Sequence, residues 1–471
     1  FGRINYNYKE RYLLEINGRY DGSSRFIGDK RWGFFPSFSA GWNVSREPFW
    51  RDLEHIVNNF KIRGSWGELG NCNTTAFYPF YQTMPTGVEN SGWLINGKKP
   101  NTASAPGIVS AEMTWETVRS WNIGFDFGLL NNRLTGSFDY FVRNTLDMIG
   151  PAPQLPATLG ATVPKVNNAD MKAWGFEVEV SWRDRIKDFN YGVKFVLSDD
   201  QRKVTRYPNE ELNRNQWYAG RMDGLVWGYE TVGIAKTDAE MEAHLASLPN
   251  GGQSQLGSKW AAGDIMYKDL NGDGKISSGD GTLNDLGDLK VVANTQLRFK
   301  YGLTLDASWK GFDFSAFFQG VGKRDVVVGG PYFWGANGQG MWQAAAFKDH
   351  MDYFRPEDTE SVFGPNVDAY YPRVIFGGGS SEGGKNTLTQ SRYVQNGAYI
   401  RLKNLQLGYT LPSTITKKFA VNSLRVYVSG DNLWTGTKMR VFDPEVLGST
   451  GDAGKAYPLA RVWSVGLNVN F

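Results

Sequence analysis

Cysteine and histidine are nearly missing from this chain. Among 471 residues there is one cysteine, Cys72, and three histidines, His55, His244 and His350. That excludes a disulfide framework, and with it a metal centre of thiolates or clustered imidazoles. An excess of either charge is missing too: 51 Lys and Arg against 48 Asp and Glu leave a formal +3. So balanced a chain offers no basic surface for nucleic acid. Long apolar runs are also lacking. The longest stretch without a charge, 326–347, holds five glycines, a proline, an asparagine and glutamines, and it reads as a loop rather than a transmembrane helix. The motifs HExxH and GxxxxGK[ST] do not occur. Glu177 and Glu179 share one strand face, whereas a glycosidase pair must flank the bond it cleaves. An enzyme is not expected.

The chain is instead rich in glycine, with 56, and in aromatic residues, at 14%. Its hydrophobic fraction is only 41% and its mean hydropathy is −0.42. Many aromatics in a polar chain is the balance of a transmembrane β-barrel. Its strands are apolar toward lipid only, and Trp and Tyr gather at the two interfaces. Period-two alternation carries the reading further. Tyr12, Leu14, Ile16, Gly18 and Tyr20 face one way, and Arg11, Glu15, Asn17 and Arg19 the other. Leu297, Phe299, Tyr301, Leu303 and Leu305 alternate likewise with Arg298, Lys300, Thr304 and Asp306. A polar face this long and this charged suits a wet or plugged lumen with lipid outside. Similar segments at 32–45, 57–69, 114–129, 134–143, 172–184, 187–206, 311–327, 393–411, 422–437 and 456–471, with the first nine residues, predict about thirteen crossings.

Short connections alternate with long ones at 70–113, 149–171, 207–294 and 328–392. Short turns on one rim and long loops on the other are the outer-membrane barrel pattern, with the short rim periplasmic. This parity holds only if 207–294 contains no net crossing, so the strand-like segment 222–235 belongs to the loop. The first and last strands then both run down to the periplasm. We therefore expect an incomplete barrel whose missing strands lie upstream, because open edges are untenable in lipid. The last strand alternates through Trp463, Val465, Leu467 and Val469 to the terminal aromatic Phe471. It reads either as a barrel-assembly signal or as an ordinary final strand.

Seven segments in order resemble the SusC/RagA family of TonB-dependent outer-membrane transporters. They begin with GRYDGSSRFIGDKRWGFFPSFSAGWNVSREPFW (18–50), KIRGSWGELGN (61–71) and the run from Thr114 to Ile149. GDIMYKDLNGDGKI (263–276), GFDFSAFFQGV (311–321) and SLRVYVSGDNLWTGTK (423–438) follow, and the series closes on DPE with YPLARVWSVGLNVNF. The resemblance implies a 22-strand barrel around a plug, of which residues 1–471 would be the last thirteen strands. It also implies an outer membrane of a Bacteroidota-like Gram-negative bacterium and active import of an oligosaccharide or peptide. The partners it implies are a SusD-like surface lipoprotein, TonB acting through an N-terminal region outside these residues, and a dimer of transporter–lipoprotein pairs. A passive porin-like channel and a barrel-anchored surface module are the alternatives.

Three sets of residues invite a role. Asp269, Asn271 and Asp273 hold positions 1, 3 and 5 of a twelve-residue loop. Lys275 supplies a backbone carbonyl at 7, and Asp280 stands at 12 in place of the usual Glu. This is the oxygen-ligand spacing of a structural Ca²⁺ (or Mg²⁺) loop, without the flanking helices of an EF-hand. A solvated Asx/Gly turn is the other reading. Phe77, Tyr78, Phe80 and Tyr81 on one long loop, and Tyr332, Phe333, Trp334 and Trp342 on another, suit ligand stacking, a partner interface or packing of the loop on itself. Lumen-facing Arg11, Glu15, Arg19, Glu177, Glu179, Arg298 and Lys300 suit either passage or solvation of the interior.

Overall fold

The computed structural model describes residues 1–471 except 75, 89–91, 151, 153–157, 159–162, 338–345, 377–380 and 449–454. Among the described residues, thirteen strands form one antiparallel sheet in strict chain order. They are β1 Gly2–Tyr8, β2 Tyr12–Gly22, β3 Trp32–Asn43, β4 Val57–Asn71, β5 Glu116–Leu129, β6 Leu134–Ile149, β7 Asn167–Ile186, β8 Phe189–Arg206, β9 Arg298–Trp309, β10 Phe312–Lys323, β11 Tyr399–Thr410, β12 Ser423–Thr437 and β13 Val462–Asn470. The sheet is a partial barrel: each strand pairs with its neighbours in sequence, and β1 and β13 do not pair with each other.

The pairing registers join apolar positions into one continuous face. Across the first strands, Ile16 opposes Phe38, Phe38 opposes Trp66, and Trp66 opposes Trp121. Toward the end, Leu407 opposes Val428 and Val428 opposes Val465. Aromatic pairs sit at both margins: Tyr20 on Trp32 at 5.2 Å near one rim, and Phe312 on Tyr409 at 4.5 Å near the other. These are the interfacial girdles that the composition predicts.

The rims differ as parity requires. One carries the connections 9–11, 44–56, 130–133, 187–188, 310–311 and 411–422; the other carries 23–31, 72–115, 150–166, 207–297, 324–398 and 438–461. The tight turns place Lys9, Glu10, Asn131 and Asn132 at positive φ, the backbone that matches hairpin twist. Two expected strands stop early. Residues 325–327 and 394–396 leave the barrel sheet and pair with each other.

The long connections are folded. In 207–297, Leu225–Tyr229 pairs with Leu289–Asn294, and Thr231–Ile234 pairs with Ile265–Tyr267. A helix, α1, spans Asp238–Ala246. Its N-cap Thr237 hydroxyl accepts from the Glu240 amide, and the Glu240 carboxylate reaches back to Lys236 N, just ahead of the cap. Neither strand pair in this region joins the barrel sheet, so the connection holds no net crossing.

Candidate functional site: the polar wall and the cap

The polar face carries ion pairs that reach over an intervening strand. Arg63 on β4 pairs with Asp126 on β5 at 3.2 Å and with Asp139 on β6 at 2.5 Å. The residue between Arg63 and Asp139 is Gly124, where a Cβ would meet the Asp139 carboxylate at 2.5 Å. Arg425 on β12 likewise donates to Asp313 on β10 at 2.8 Å, passing over Gly408 of β11. A Cβ at Gly408 would meet the Arg425 guanidinium at 2.5 Å. Lys194–Glu179 at 2.7 Å and Lys300–Asp200 at 2.8 Å bridge adjacent strands. Of the expected lumen charges, Glu15, Arg19, Glu179 and Lys300 are paired on this face. Arg11 sits in the first turn, facing Glu47 at 3.6 Å, and Arg298 binds Asp199 at 2.5 Å.

Above this wall, the three connections 207–297, 324–398 and 438–461 share one core. Tyr229, Ile265, Tyr267 and Ile276 come from the first, Phe333, Trp334, Phe354, Tyr371 and Tyr393 from the second, and Met439 and Leu447 from the third. Phe333 and Trp334 are buried. Phe333 lies edge-on to Tyr371 at 5.5 Å and Trp334 edge-on to Tyr393 at 4.6 Å. They pack the loop on itself. Tyr332 is exposed and stacks on Phe347, and Trp342 lies outside the described residues.

An ionic knot ties the first two connections. Asp264 and Lys385 are fully buried and 2.9 Å apart. Arg373 binds both oxygens of Asp264, at 2.7 and 2.8 Å, and Asn386 donates to it at 2.8 Å. Lys385 also binds Glu382 at 3.1 Å and lies 4.5 Å from the Trp260 ring centroid. Nothing in the local sequence marks these residues, which lie about 120 positions apart and are brought together only by the fold.

Glu382 makes the knot sensitive to acid. The Ser258 hydroxyl and amide donate to it at 2.6 and 2.8 Å. The hydroxyl foremost, together with the amide and Lys385 and against the effect of burial, holds its carboxyl down at about 2. An unfolded Glu titrates near ~4.3. The contribution is therefore complete above that pH and is lost as pH falls toward 2. Hydrogen exchange at Ser258 and Lys259, corrected for intrinsic rates, is expected to accelerate across that window and to stay flat above it.

The other aromatic loop differs. Phe77, Tyr78 and Tyr81 are exposed, with Phe80 half-buried against Tyr81 at 4.7 Å. Arg25 lies 4.9 Å from the Phe77 ring centroid. In the 269–280 loop, Asp269 accepts from the Gly272 and Gly274 amides at 2.6 and 2.9 Å, Asn271 from Asp273 N, and Asp273 from Lys275 N. Burial pushes the Asp269 carboxyl up, but the amide bonds from Gly274 and Gly272 outweigh it and hold the group below its usual range. Asp280 turns to Thr282 N at 2.7 Å. Buried Asp288, unmarked in the sequence, ties the loop's ends by accepting from Leu270 N and Ser277 N, each at 2.7 Å. Asp269, Asn271 and Asp273 thus share one turn whose side-chain oxygens accept backbone amides, and Asp280 does not join them. Among the described residues, no set of three or more His, Cys, Asp or Glu converges as a metal site. Trp463, Val465, Leu467, Val469 and Phe471 are all exposed at the edge strand β13 and its end.

A partial barrel clad in apolar side chains, polar within and capped on its long rim, is the wall of an outer-membrane β-barrel. Residues 1–433 match the family described as TonB dependent receptor-like, beta-barrel, and the chain belongs to it. Within that family it is similar to the SusC/RagA group. TonB-dependent receptor SusC of Bacteroides thetaiotaomicron is 26% identical, over all of this chain and 43% of SusC. TonB-dependent receptor P3 of Formosa agariphila is 28% identical, over all of this chain and 45% of P3. The structure of the RagAB peptide transporter superposes with a TM-score of 0.74 at 21% identity, over all of this chain and 47% of that one. The chain thus spans less than half the length of these relatives, and its place is the outer membrane.

Proposed function

We propose that the full-length protein actively imports a large nutrient, an oligosaccharide or a peptide, across the outer membrane. TonB drives it from the periplasm, and a SusD-like lipoprotein captures cargo at the capped, extracellular rim. Family membership is the observation that carries this reading. The charged wall and the folded cap suit it, since both prepare an interior and a mouth for selective traffic. The exposed Phe77–Tyr81 loop is then a partner or ligand contact, β13 with Phe471 is the assembly signal, and transporter–lipoprotein pairs associate as dimers. No covalent chemistry is assigned to the chain.

Uptake of labelled oligosaccharide and peptide mixtures by cells, with and without collapse of the proton gradient, tests this. Uptake that stops with the gradient is expected. Uptake that continues would favour a passive channel, and no uptake at all would favour a surface module.

The same proposal gives the 269–280 turn a structural Ca²⁺ (or Mg²⁺). Removing divalent ions from the full-length protein with a chelator is expected to lower amide protection at 269–288, and Ca²⁺ to restore it. Unchanged protection would leave a solvated turn.

A further inference from the structure

Three hairpins of the short rim open on a lysine in the left-handed region, Lys9 at φ 52°, Lys187 at φ 54° and Lys310 at φ 47°. That backbone strains any residue with a Cβ, and Asn or Gly is its usual occupant. A fourth hairpin of the same rim follows the rule, with Asn131 and Asn132 at φ 60° and 58°. Lysine chosen three times against this preference points to a use for the ammonium rather than to the needs of the turn. The rim as a whole leans the same way. Its six connections hold nine Lys and Arg against five Asp and Glu, an excess larger than the +3 of the entire chain.

The three lysines are exposed, and none forms an ion pair among the described residues. Two of them stand against aromatic rings instead. Lys9 Nζ lies 5.3 Å from the Tyr8 ring centroid, and Lys310 Nζ lies 5.6 Å from that of Trp309. Trp309 belongs to a row on the apolar face. Ile186 opposes Phe189, Phe189 opposes Trp309, Trp309 opposes Phe312, and Phe312 opposes Tyr409. Lys187 and Lys310 therefore close neighbouring hairpins along one margin of the girdle, beside lipid rather than lumen. The two hairpins are two strands apart, about 10 Å at ordinary strand spacing. Long stems let both ammonium groups reach one small anion between them.

We propose that Lys187 and Lys310 hold the phosphodiester of an anionic phospholipid of the periplasmic leaflet, with its acyl chains along Phe189, Trp309 and Phe312. Charge selects the headgroup, and the apolar row selects a lipid. A soluble phosphate or an acidic protein surface would leave those exposed rings uncovered. A zwitterionic headgroup carries its own cation beside the phosphate, which competes with the lysines. The inference rests on the place of the barrel in the membrane and is independent of cargo and of energy coupling.

Native mass spectrometry of the full-length protein tests it, after exposure in detergent to equal amounts of phosphatidylglycerol and phosphatidylcholine. The wild type is expected to retain phosphatidylglycerol about tenfold more, the order expected of two lysines at an anionic surface. Lys187→Asn with Lys310→Asn removes both ammonium groups and installs a residue at home at positive φ, so the turns keep their shape. In that variant the two lipids should be retained alike. Lys187→Arg with Lys310→Arg keeps the charges and should keep the preference. The proposal is overturned if the Asn variant retains the preference or the Arg variant loses it. It is overturned equally if glycerophosphoglycerol, the same headgroup without chains, is retained as well as the lipid, for the site would then take soluble phosphates. A wild type without preference also overturns it and would turn attention to a periplasmic protein as the partner of this rim.

Discussion

Leu405→Arg in the full-length protein is expected to cost about 2–4 kcal/mol of stability in a bilayer, whereas Gln406→Arg, one residue on, changes it by no more than ~0.5 kcal/mol. The two positions are neighbours in β11 but face opposite media. Leu405 opposes Ala316 and Gly430 on the apolar face, near the middle of its strand. Gln406 opposes Ser315 and Ser429 on the polar face. A guanidinium at 405 must leave water for hydrocarbon, while at 406 it meets hydroxyls and solvent. Urea titration of vesicle-folded protein reads both. Equal losses would mean that the apolar face does not meet lipid.

Asp264→Ala is expected to destabilise the cap locally by ~3–5 kcal/mol, since it leaves Lys385 and the Arg373 guanidinium without their shared carboxylate. Lys385 is fully buried, so its ammonium cannot regain water without opening the cap. Hydrogen exchange should rise a hundredfold or more at 231–234 and 265–267, at ~1.4 kcal/mol per tenfold, with the barrel strands unchanged. Adding Lys385→Met should recover part of the loss by removing one stranded charge. A barrel that opens together with the cap would contradict the separate core described here.

The wall was readable in the sequence because its rule is local. Alternation with period two needs only a strand's own residues, and thirteen such segments appear where thirteen strands stand. Turn positions were readable as well, since Asn131 and Asn132 tolerate the positive φ they adopt. Helix α1 lies inside a long connection, yet its signal is present in the sequence, Thr237 three residues before Glu240. The cap's core and the Asp264–Lys385 knot were not legible at all. Their partners come from different connections, and no spacing rule links them. Phe333 and Trp334 show the same limit. Sequence shows that they are aromatic and surrounded by glycine, but only tertiary packing makes them core. The 269–280 turn is half legible: Asp269, Asn271 and Asp273 share it, while Asp280 looks elsewhere and Asp288 enters unannounced.

Alternation has a blind spot, and the bridges over Gly124 and Gly408 cover it. A strand that slips by one residue turns its whole apolar set to the wrong face and is rejected by lipid. A slip by two keeps every residue on its proper face, and hydrophobicity cannot detect it. On β5 such a slip would bring Asn122 or Asp126 to the place of Gly124, filling the gap through which Arg63 reaches Asp139. The bare backbone at that one position therefore acts as a proof-reader during assembly, admitting only the alignment in which three strands agree.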